Sequence, residues 1–374
     1  MESIIDPAYV QKHFPTLADM TYLNNAATGI PPQVTIAAMK EYLDNKIKAK
    51  GSFEKTLESF KEIKSNLANL LGGESANYGF APNTSGGLNI FAHGIDYPRG
   101  SNIVICDLEF PANYIPWQNA ARMYGVELRV VESEKGLVSH DSFVEKIDEN
   151  TRVVAVSMVQ FASGFRVDIS RLAKAAHEKG AYLVADIIQA AGWQDIDLPK
   201  MDVDFAAAQA AKWLIGPIGA GFVYVKKEMI PEINSRFLGW WSVENMNEFG
   251  YSERTPASDA SKFEAGSPAM IAYVGFKESL KVLLEIPSQD RERAALDNAD
   301  YLRQRLAEIG VEYYEFPDEN RSATVSCTPD NVEELNKDLY KNNILCSVRN
   351  GRLRVSPHYY NSREEIDRLI EKMR

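Results

Sequence analysis

Two hydrophobic patterns alternate through the middle of the chain. Apolar residues at spacings of three and four predict amphipathic helices over 33–48 and 53–71. Short runs that are apolar throughout predict strands over 102–106, 126–131, 152–159, 181–186 and 221–225. Further helices are predicted between these runs, over 113–124, 139–147 and 168–179, the last of them closed by Gly180.

Strands that are apolar along their whole length and separated by helices are typical of a parallel sheet covered on both faces. From about residue 263 the pattern changes to long helices mixed with short strands, and Ser362-Arg-Glu-Glu365 is a capping box for a last helix. We therefore predict an α/β fold with two domains. The large domain, residues 16–255, contains the mostly parallel sheet, and the smaller C-terminal domain, residues 256–374, is α+β. Residues 1–15 are a candidate addition to the smaller domain.

Composition and charge narrow the class of protein. The chain has 374 residues, of which 45% are hydrophobic and 25% charged, as in ordinary globular proteins. Its formal net charge is −11 and it has no basic block, so we expect neither a nucleic acid nor a membrane as partner. The three cysteines form no CxxC pair, so we expect no metal site. Sparse cysteines and the lack of a signal-peptide pattern in the first residues predict a cytoplasmic location.

Two polar residues stand in unusually apolar surroundings. Asp186 ends a predicted buried strand, where it is either a turn cap or the counter-ion of a cationic ligand atom, because a buried carboxylate needs a positive partner. Lys212 follows a run of alanines and precedes Trp213. A solvated surface lysine is the common case, but apolar neighbours would lower its pKa and prepare the amine for Schiff-base chemistry.

Two further segments could bind anions. Thr84 and Ser85 lie where a strand passes into an apolar helix, so they are either plain N-cap residues or part of an anion site at the helix N-terminus. Three arginines fall within residues 349–354. They could form a solvated face, but an alternating strand places Arg352 and Arg354 on the same side, and a guanidinium suits a substrate carboxylate.

An anion site, a desolvated lysine, a buried carboxylate and a carboxylate-binding arginine together are what a pyridoxal-phosphate enzyme acting on amino acids requires. In these features the sequence resembles the class V aminotransferase family of fold-type I enzymes, which includes cysteine desulfurases, isopenicillin N epimerase-like proteins and kynureninase. The resemblance is carried by Tyr22-Leu-Asn-Asn-Ala-Ala-Thr28, by Asp186, Gln189 and Lys212-Trp-Leu-Ile-Gly-Pro, and by Arg354-Val-Ser-Pro-His-Tyr-Tyr-Asn361.

The resemblance implies pyridoxal 5'-phosphate as cofactor and gives roles to the residues around its ring. Lys212 would form the Schiff base with the cofactor aldehyde and act as the catalytic base. Asp186 would pair with the protonated pyridine nitrogen, and Gln189 would hydrogen-bond the phenolic oxygen. Phe110 falls where the family stacks an aromatic ring or a histidine on the cofactor. Gln209, at the position of a family serine before the lysine, is a further cofactor-binding candidate.

The same resemblance implies how phosphate and substrate are held. Thr84 and Ser85 would bind the cofactor phosphate, and Arg354 would bind the carboxylate of an amino acid or keto acid, with Asn25 as a second substrate-binding candidate. Family members are homodimers with active sites at the subunit boundary. Ser267 would then reach the cofactor phosphate of the partner subunit.

Departures from the family pattern bear on the reaction. The desulfurases of the family carry a nucleophilic cysteine after Val-Arg-x-Gly, but this chain reads Val348-Arg-Asn-Gly-Arg-Leu-Arg354. Phe110, in place of the stacking histidine, cannot transfer a proton. We therefore expect a class V aminotransferase that works through Lys212. The alternatives are a C–S or other β-eliminating lyase, similar to cysteine desulfurase or selenocysteine lyase, and an amino-acid epimerase. A non-enzymatic cofactor-binding scaffold fits less well, because it would not need a substrate arginine.

Overall fold

The structure, a computed structural model, describes residues 4–51 and 53–374. Residues 1–3 of the predicted N-terminal addition lie outside the described residues. The helices are α1 (Pro7–His13), α2 (Gln33–Ile47), α3 (Phe53–Leu71), α4 (Thr84–Gly94), α5 (Ile115–Tyr124), α6 (His140–Val144), α7 (Ile169–His177), α8 (Met229–Glu232), α9 (Met270–Leu284), α10 (Ser288–Glu308), α11 (Val332–Lys341) and α12 (Arg363–Met373). No helix in this part of the chain is long and apolar enough to cross a lipid bilayer.

The strands form three sheets. They are β1 (Thr21–Tyr22), β2 (Tyr78–Ala81), β3 (Asn102–Cys106), β4 (Glu127–Val131), β5 (Thr151–Ser157), β6 (Tyr182–Asp186), β7 (Phe205–Gln209), β8 (Gly221–Val225), β9 (Glu312–Tyr313), β10 (Val325–Thr328), β11 (Ile344–Leu345), β12 (Ser347–Arg349) and β13 (Arg352–Val355). The large sheet has the order β2-β8-β7-β6-β5-β3-β4, and within it only β8 runs against the other strands. The predicted α/β class with a mostly parallel sheet is confirmed.

Most predicted elements of the large sheet occur within one or two residues of their expected bounds, but β7 was not predicted. Its sequence, Phe205-Ala-Ala-Ala-Gln209, favours a helix by intrinsic propensity. In the structure it lies between β6 and β8, and its three alanines are fully buried. Gly87 of α4 shows the reason for small residues here, because a Cβ at that position would lie 2.8 Å from Cβ of Ala207. Because α4 lies so close to the sheet, position 207 of β7 has room only for a small side chain.

The C-terminal part has its own antiparallel sheet, in the order β12-β13-β10-β9. The N-terminal segment packs on this C-terminal part, because β1 and β11 form a separate two-stranded parallel sheet and Asn25 donates to the carbonyl of Ser356. Tyr9 of α1 donates to the carbonyl of Val282 in α9, so this segment also contacts the long helix. The division into domains at residues 255–256 stays a prediction.

The last helix begins as predicted. Ser362 is its N-cap and accepts from the backbone N–H of Glu365, whose side chain accepts from the N–H of Ser362. The parallel strands β2, β3, β5, β6 and β7 end at one edge of the large sheet. In parallel sheets this carboxyl edge is where ligands bind.

Candidate functional site

Lys212 lies three residues beyond β7, in a turn closed by hydrogen bonds from Ile215 to its carbonyl and from Gly216 to Ala210. The loop before α2 packs on this turn, since a Cβ on Gly29 would lie 2.0 Å from the Lys212 carbonyl oxygen. Burial lowers the pKa of the Lys212 amine to about 8, and Asp186 opposes this shift. The turn thus holds an amine that is partly unprotonated near neutral pH, as nucleophilic and base chemistry require.

Asp186 ends β6 and is fully enclosed. One carboxylate oxygen accepts from the backbone N–H of Ile188 at 2.9 Å. Burial, and to a lesser extent the charge of Glu109, raises the pKa of Asp186 to about 7, while the N–H of Ile188 and the Lys212 amine act in the opposite direction. A buried carboxylate held by one backbone donor has hydrogen-bonding capacity left for a cationic or N–H ligand group.

One phenylalanine lies beside the amine, and a second packs against the first. The Lys212 Nζ atom is 5.5 Å from the centroid of the Phe110 ring, which remains 43% exposed. Phe161 packs edge-on against Phe110 at 5.1 Å between centroids. Phe110 therefore presents an open aromatic face next to Lys212, as the predicted stacking role requires.

Arg354 is buried in β13, and Phe161 also links it to this site. Its Nη1 donates to the carbonyl of Phe161 at 2.8 Å, whereas its Nε and Nη2 have no partner among the described residues. Burial lowers the pKa of Arg354 to about 9, so the guanidinium is still charged at neutral pH. Unpaired buried donors are costly, and a bidentate carboxylate would satisfy both of them.

The anion site was predicted at the N-terminus of α4. Asn83 is the N-cap, and its side chain accepts from the N–H of Gly86. The hydroxyl of Thr84 is buried and has no hydrogen-bond partner in the described part of the chain. Ser85 lines a cavity of about 760 Å³ together with Phe110. Free N–H groups, the helix dipole and an unpaired hydroxyl suit a phosphate.

Glu109 was not predicted to take part in the site. Its fully buried carboxylate accepts from the backbone N–H and the hydroxyl of Ser157, and from the side chains of Asn113 at 2.7 Å and Gln160 at 2.9 Å. Ser157 pairs with Asp186 in the sheet, and Phe110 follows Glu109 directly. The Glu109 carboxylate thus connects the segment that carries Phe110 to the strand next to the one that ends at Asp186. The sequence signal for Glu109 was its position, as a charged residue between a buried strand and an apolar segment.

Other predicted residues are held by the protein itself. Gln189 donates to the carbonyl of Ala26 and accepts from the indole of Trp213, which leaves one amide hydrogen for a ligand. Asn25 donates to the Ser356 carbonyl and accepts from Tyr360. Gln209 ends β7, three residues before Lys212. The roles predicted for these three amides stay predictions.

Ser267 lies on the other side of the α4 N-terminus. It is exposed and lines a cavity of about 740 Å³ together with Asn83 and Gly86. Its predicted contact with the phosphate bound by a partner subunit needs a second copy of the chain, and it stays a prediction.

These residues fit pyridoxal 5'-phosphate. Lys212 could hold its aldehyde, Asp186 its ring nitrogen, Phe110 its ring face and Thr84 its phosphate, and the unpaired Thr84 hydroxyl and singly bonded Asp186 carboxylate have capacity for it. A mostly parallel α/β sheet with this site at its carboxyl edge defines a pyridoxal-phosphate enzyme of fold type I.

The chain belongs to the aminotransferase class-V family, whose sequence pattern matches residues 21–369. The family is pyridoxal-phosphate dependent, so the predicted cofactor is confirmed. A probable cysteine desulfurase of Methanothermobacter thermautotrophicus is 29% identical over 97% of this chain and 96% of its own length. The uncharacterized aminotransferase YcbU of Bacillus subtilis is 26% identical over 98% and 97%.

Solved structures share the fold. The apo cysteine desulfurase from Thermococcus onnurineus superposes with a TM-score of 0.89 at 24% identity, over 99% of this chain and 98% of the other. The complex of the cystine C–S lyase C-DES with cysteine persulfide also gives 0.89, at 22% identity, over 96% and 98%. These structures confirm the fold, while the predicted family is confirmed by the sequence pattern that matches residues 21–369. The reaction within the family is a separate question.

The unpaired Thr84 hydroxyl leads to a first prediction. Thr84→Val should leave the cofactor-free protein equally or more stable, because it removes a buried hydroxyl without a partner. The same change should weaken cofactor binding by roughly tenfold, since a phosphate hydrogen bond is lost. Thermal unfolding of the cofactor-free protein and titration with pyridoxal phosphate would measure the two effects.

Thr35→Val is the matched control. The buried Thr35 hydroxyl shares a hydrogen bond of 2.8 Å with Ser279, so its loss should destabilise the fold and leave cofactor affinity unchanged. An unchanged affinity in Thr84→Val would show that this hydroxyl does not contact the phosphate.

Proposed function

We propose that this protein is a pyridoxal-phosphate-dependent aminotransferase that acts on α-amino acids. The proposal is carried by one observation: two N–H groups of Arg354 have no partner among the described residues, and they belong to the same site as the buried amine of Lys212. A guanidinium with two free N–H groups binds a carboxylate in a fixed orientation. Arg354 donates to the carbonyl of Phe161, whose ring packs on Phe110 beside the Lys212 amine, so the guanidinium and the amine belong to one site.

When bound, the cofactor supplies an aldehyde carbon that joins an amine and a ring that withdraws electrons from the Cα atom of the substrate. Arg354 holds the α-carboxylate and thereby orients Cα. Lys212, with its lowered pKa, takes the proton from Cα and can return it at a neighbouring carbon. Asp186 would keep the ring nitrogen protonated by its negative charge, and Phe110 would exclude water from one side of the amine.

The cysteines support transamination over a sulfur relay. A desulfurase that carries sulfur on its own thiol needs an accessible thiolate. Cys106 and Cys327 are buried, and burial raises the pKa of Cys327 to about 12 and that of Cys106 well above its usual value. Burial also raises the pKa of Cys346. None of the three thiols has the properties of a sulfur acceptor.

A β-eliminating lyase is the second candidate. It is favoured by the relatives, several of which are named cysteine desulfurase or probable cysteine desulfurase. The match covers at least 90% of the length of each of these relatives. Such a lyase would use Arg354, Lys212 and Asp186 in the same way up to removal of the Cα proton. It would then expel a sulfur leaving group directly, without an enzyme thiol.

An amino-acid panel monitored by the absorbance of the bound cofactor tests the proposal. For a transaminase we expect conversion of the cofactor to its amine form by a donor amino acid, and recovery on addition of a keto acid. Release of sulfide or of a persulfide together with pyruvate, without recovery by keto acids, would instead establish the lyase.

The site itself is tested by reduction of the holoenzyme with borohydride followed by peptide mapping. The reduced cofactor should be attached to Lys212. Attachment to another lysine would overturn the assignment, whichever reaction the enzyme catalyses.

A further inference from the structure

The hairpin of β12 and β13 presents three arginines on one face. In its antiparallel register Ser347 pairs with Arg354, and Arg349 pairs with Arg352. Side chains alternate along a strand and paired residues share a face, so these four side chains lie on the same side of the hairpin. Arg354 places this side at the proposed substrate site.

Arg352 is used within the protein. Its guanidinium lies 3.8 Å from the centroid of the Tyr314 ring and donates to the carbonyl of Ser326 at 3.1 Å. It therefore has a structural role and serves below as a control.

Arg354 and Ser347 have unused hydrogen-bonding capacity. Arg354 leaves its Nε and Nη2 unpaired, and the Ser347 hydroxyl is also buried without a partner among the described residues. Both residues are more than nine-tenths buried, with 1% and 7% of their surface exposed. A carboxylate bound to Arg354 would pair both free guanidinium donors, and the Ser347 hydroxyl offers one further donor on the same face.

Arg349 adds a second guanidinium. It is half-buried, and its Nη1 donates to the carbonyl of Val348 at 2.7 Å. Its charge lowers the pKa of both Lys212 and Arg354. Within residues 4–51 and 53–374, no carboxylate forms an ion pair with Arg349 or Arg354. Arg349 and Arg354 thus lie on one face of the hairpin, and no acidic side chain among the described residues pairs with either guanidinium.

We propose that the substrate is a dicarboxylic amino acid of the aspartate or glutamate class, with its α-carboxylate on Arg354 and its side-chain carboxylate on Arg349. The Ser347 hydroxyl donates to one of the two carboxylates. A planar guanidinium matches a carboxylate better than it matches an uncharged amide, so the site discriminates glutamate from glutamine. The inference rests on the proposed function, whose site it deepens.

Binding to the holoenzyme tests the proposal. L-glutamate and L-aspartate should perturb the cofactor absorbance at concentrations roughly 10- to 100-fold lower than L-glutamine and L-asparagine do. Glutarate, which has no amine and cannot react, should bind more tightly than butyrate by a similar factor in calorimetry. Arg349→Gln should remove both preferences, so that glutarate binds no more tightly than butyrate does.

Arg352→Gln is the matched control on the same face. It removes one positive charge at a guanidinium engaged with Tyr314 and Ser326, and it should keep the preference for two carboxylates. Arg349→Lys retains the charge but not the fork, so it should give an intermediate preference. Equal affinities for glutarate and butyrate in the unaltered protein, or loss of the preference in Arg352→Gln but not in Arg349→Gln, would overturn the proposal.

Failure of this inference is distinguishable from failure of the proposed function. If amino acids of every class convert the cofactor with equal efficiency, the enzyme is a transaminase and only the dicarboxylate assignment is wrong. If glutarate binds as expected but no amino acid yields a keto acid, the assignment of the two arginines holds and the proposed transamination is wrong.

Discussion

Lys212→Ala is expected to abolish covalent attachment of pyridoxal phosphate and to lower turnover by roughly 10²- to 10⁴-fold, the contribution of a positioned acid–base group. The reason is the environment of this amine, whose pKa burial lowers to about 8 beside Asp186 and Arg354. The cofactor absorbance after gel filtration and the rate with a donor amino acid would measure the two effects.

Lys226→Ala is the matched control for this change. Lys226 is a partly exposed lysine that pairs with the exposed Asp202 and with the buried Asp204, and Asp204 keeps His177 as a second partner, so the change should cost little stability. It should retain the bound cofactor and turnover. A Lys212→Ala protein that still yields a borohydride-stable adduct with normal turnover would contradict the assignment of Lys212.

Asp186→Ala is expected to weaken cofactor binding and to lower turnover by roughly 10²- to 10³-fold, because the charge at the cofactor ring nitrogen loses its partner. Glu365→Gln offers a control, since Glu365 is a buried carboxylate that caps α12 far along the chain. It should affect thermal stability alone. Normal turnover in Asp186→Ala would show that the reaction does not depend on the charge of the ring nitrogen.

The raised pKa of Asp186 also predicts a pH dependence of stability. Burial raises this pKa from 3.8 to about 7 in the folded protein, so ionisation opposes folding. The cost is absent below the unfolded pKa, grows as the pH rises from about 4 to 7, and is constant above that range. The stability of cofactor-free Asp186→Asn relative to the unaltered protein should therefore increase over the same interval. Urea unfolding at pH 5, 6 and 7 would measure it, and a pH-independent difference would contradict the burial of a titrating carboxylate.

The periodic elements of the fold could be read from the chain because their signals are local. Helix α3 and strands β3 and β8 have the bounds that the hydrophobic pattern predicts. Strand β7 could not be predicted, because alanine favours a helix in isolation and becomes a strand residue here through packing between β6, β8 and α4.

Site residues could be predicted from the sequence where a charged residue interrupts an apolar segment. Lys212 after a run of alanines and Asp186 at the end of an apolar strand are such residues. The arginines differ, because Arg349, Arg352 and Arg354 look alike in sequence. Their roles separate only when Tyr314 and Ser326 engage Arg352 while Arg354 keeps two donors free.

By itself, the sequence determined the class of fold, the family and the chemical types of the principal groups, since these depend on local periodicity and on residue identity. The tertiary structure decided which of those groups meet and which remain unsatisfied. Glu109 and Phe161 acquire their contacts only because strands distant in sequence end at a common edge. Desolvation and hydrogen-bond satisfaction are properties of that shared space, and no single segment contains them.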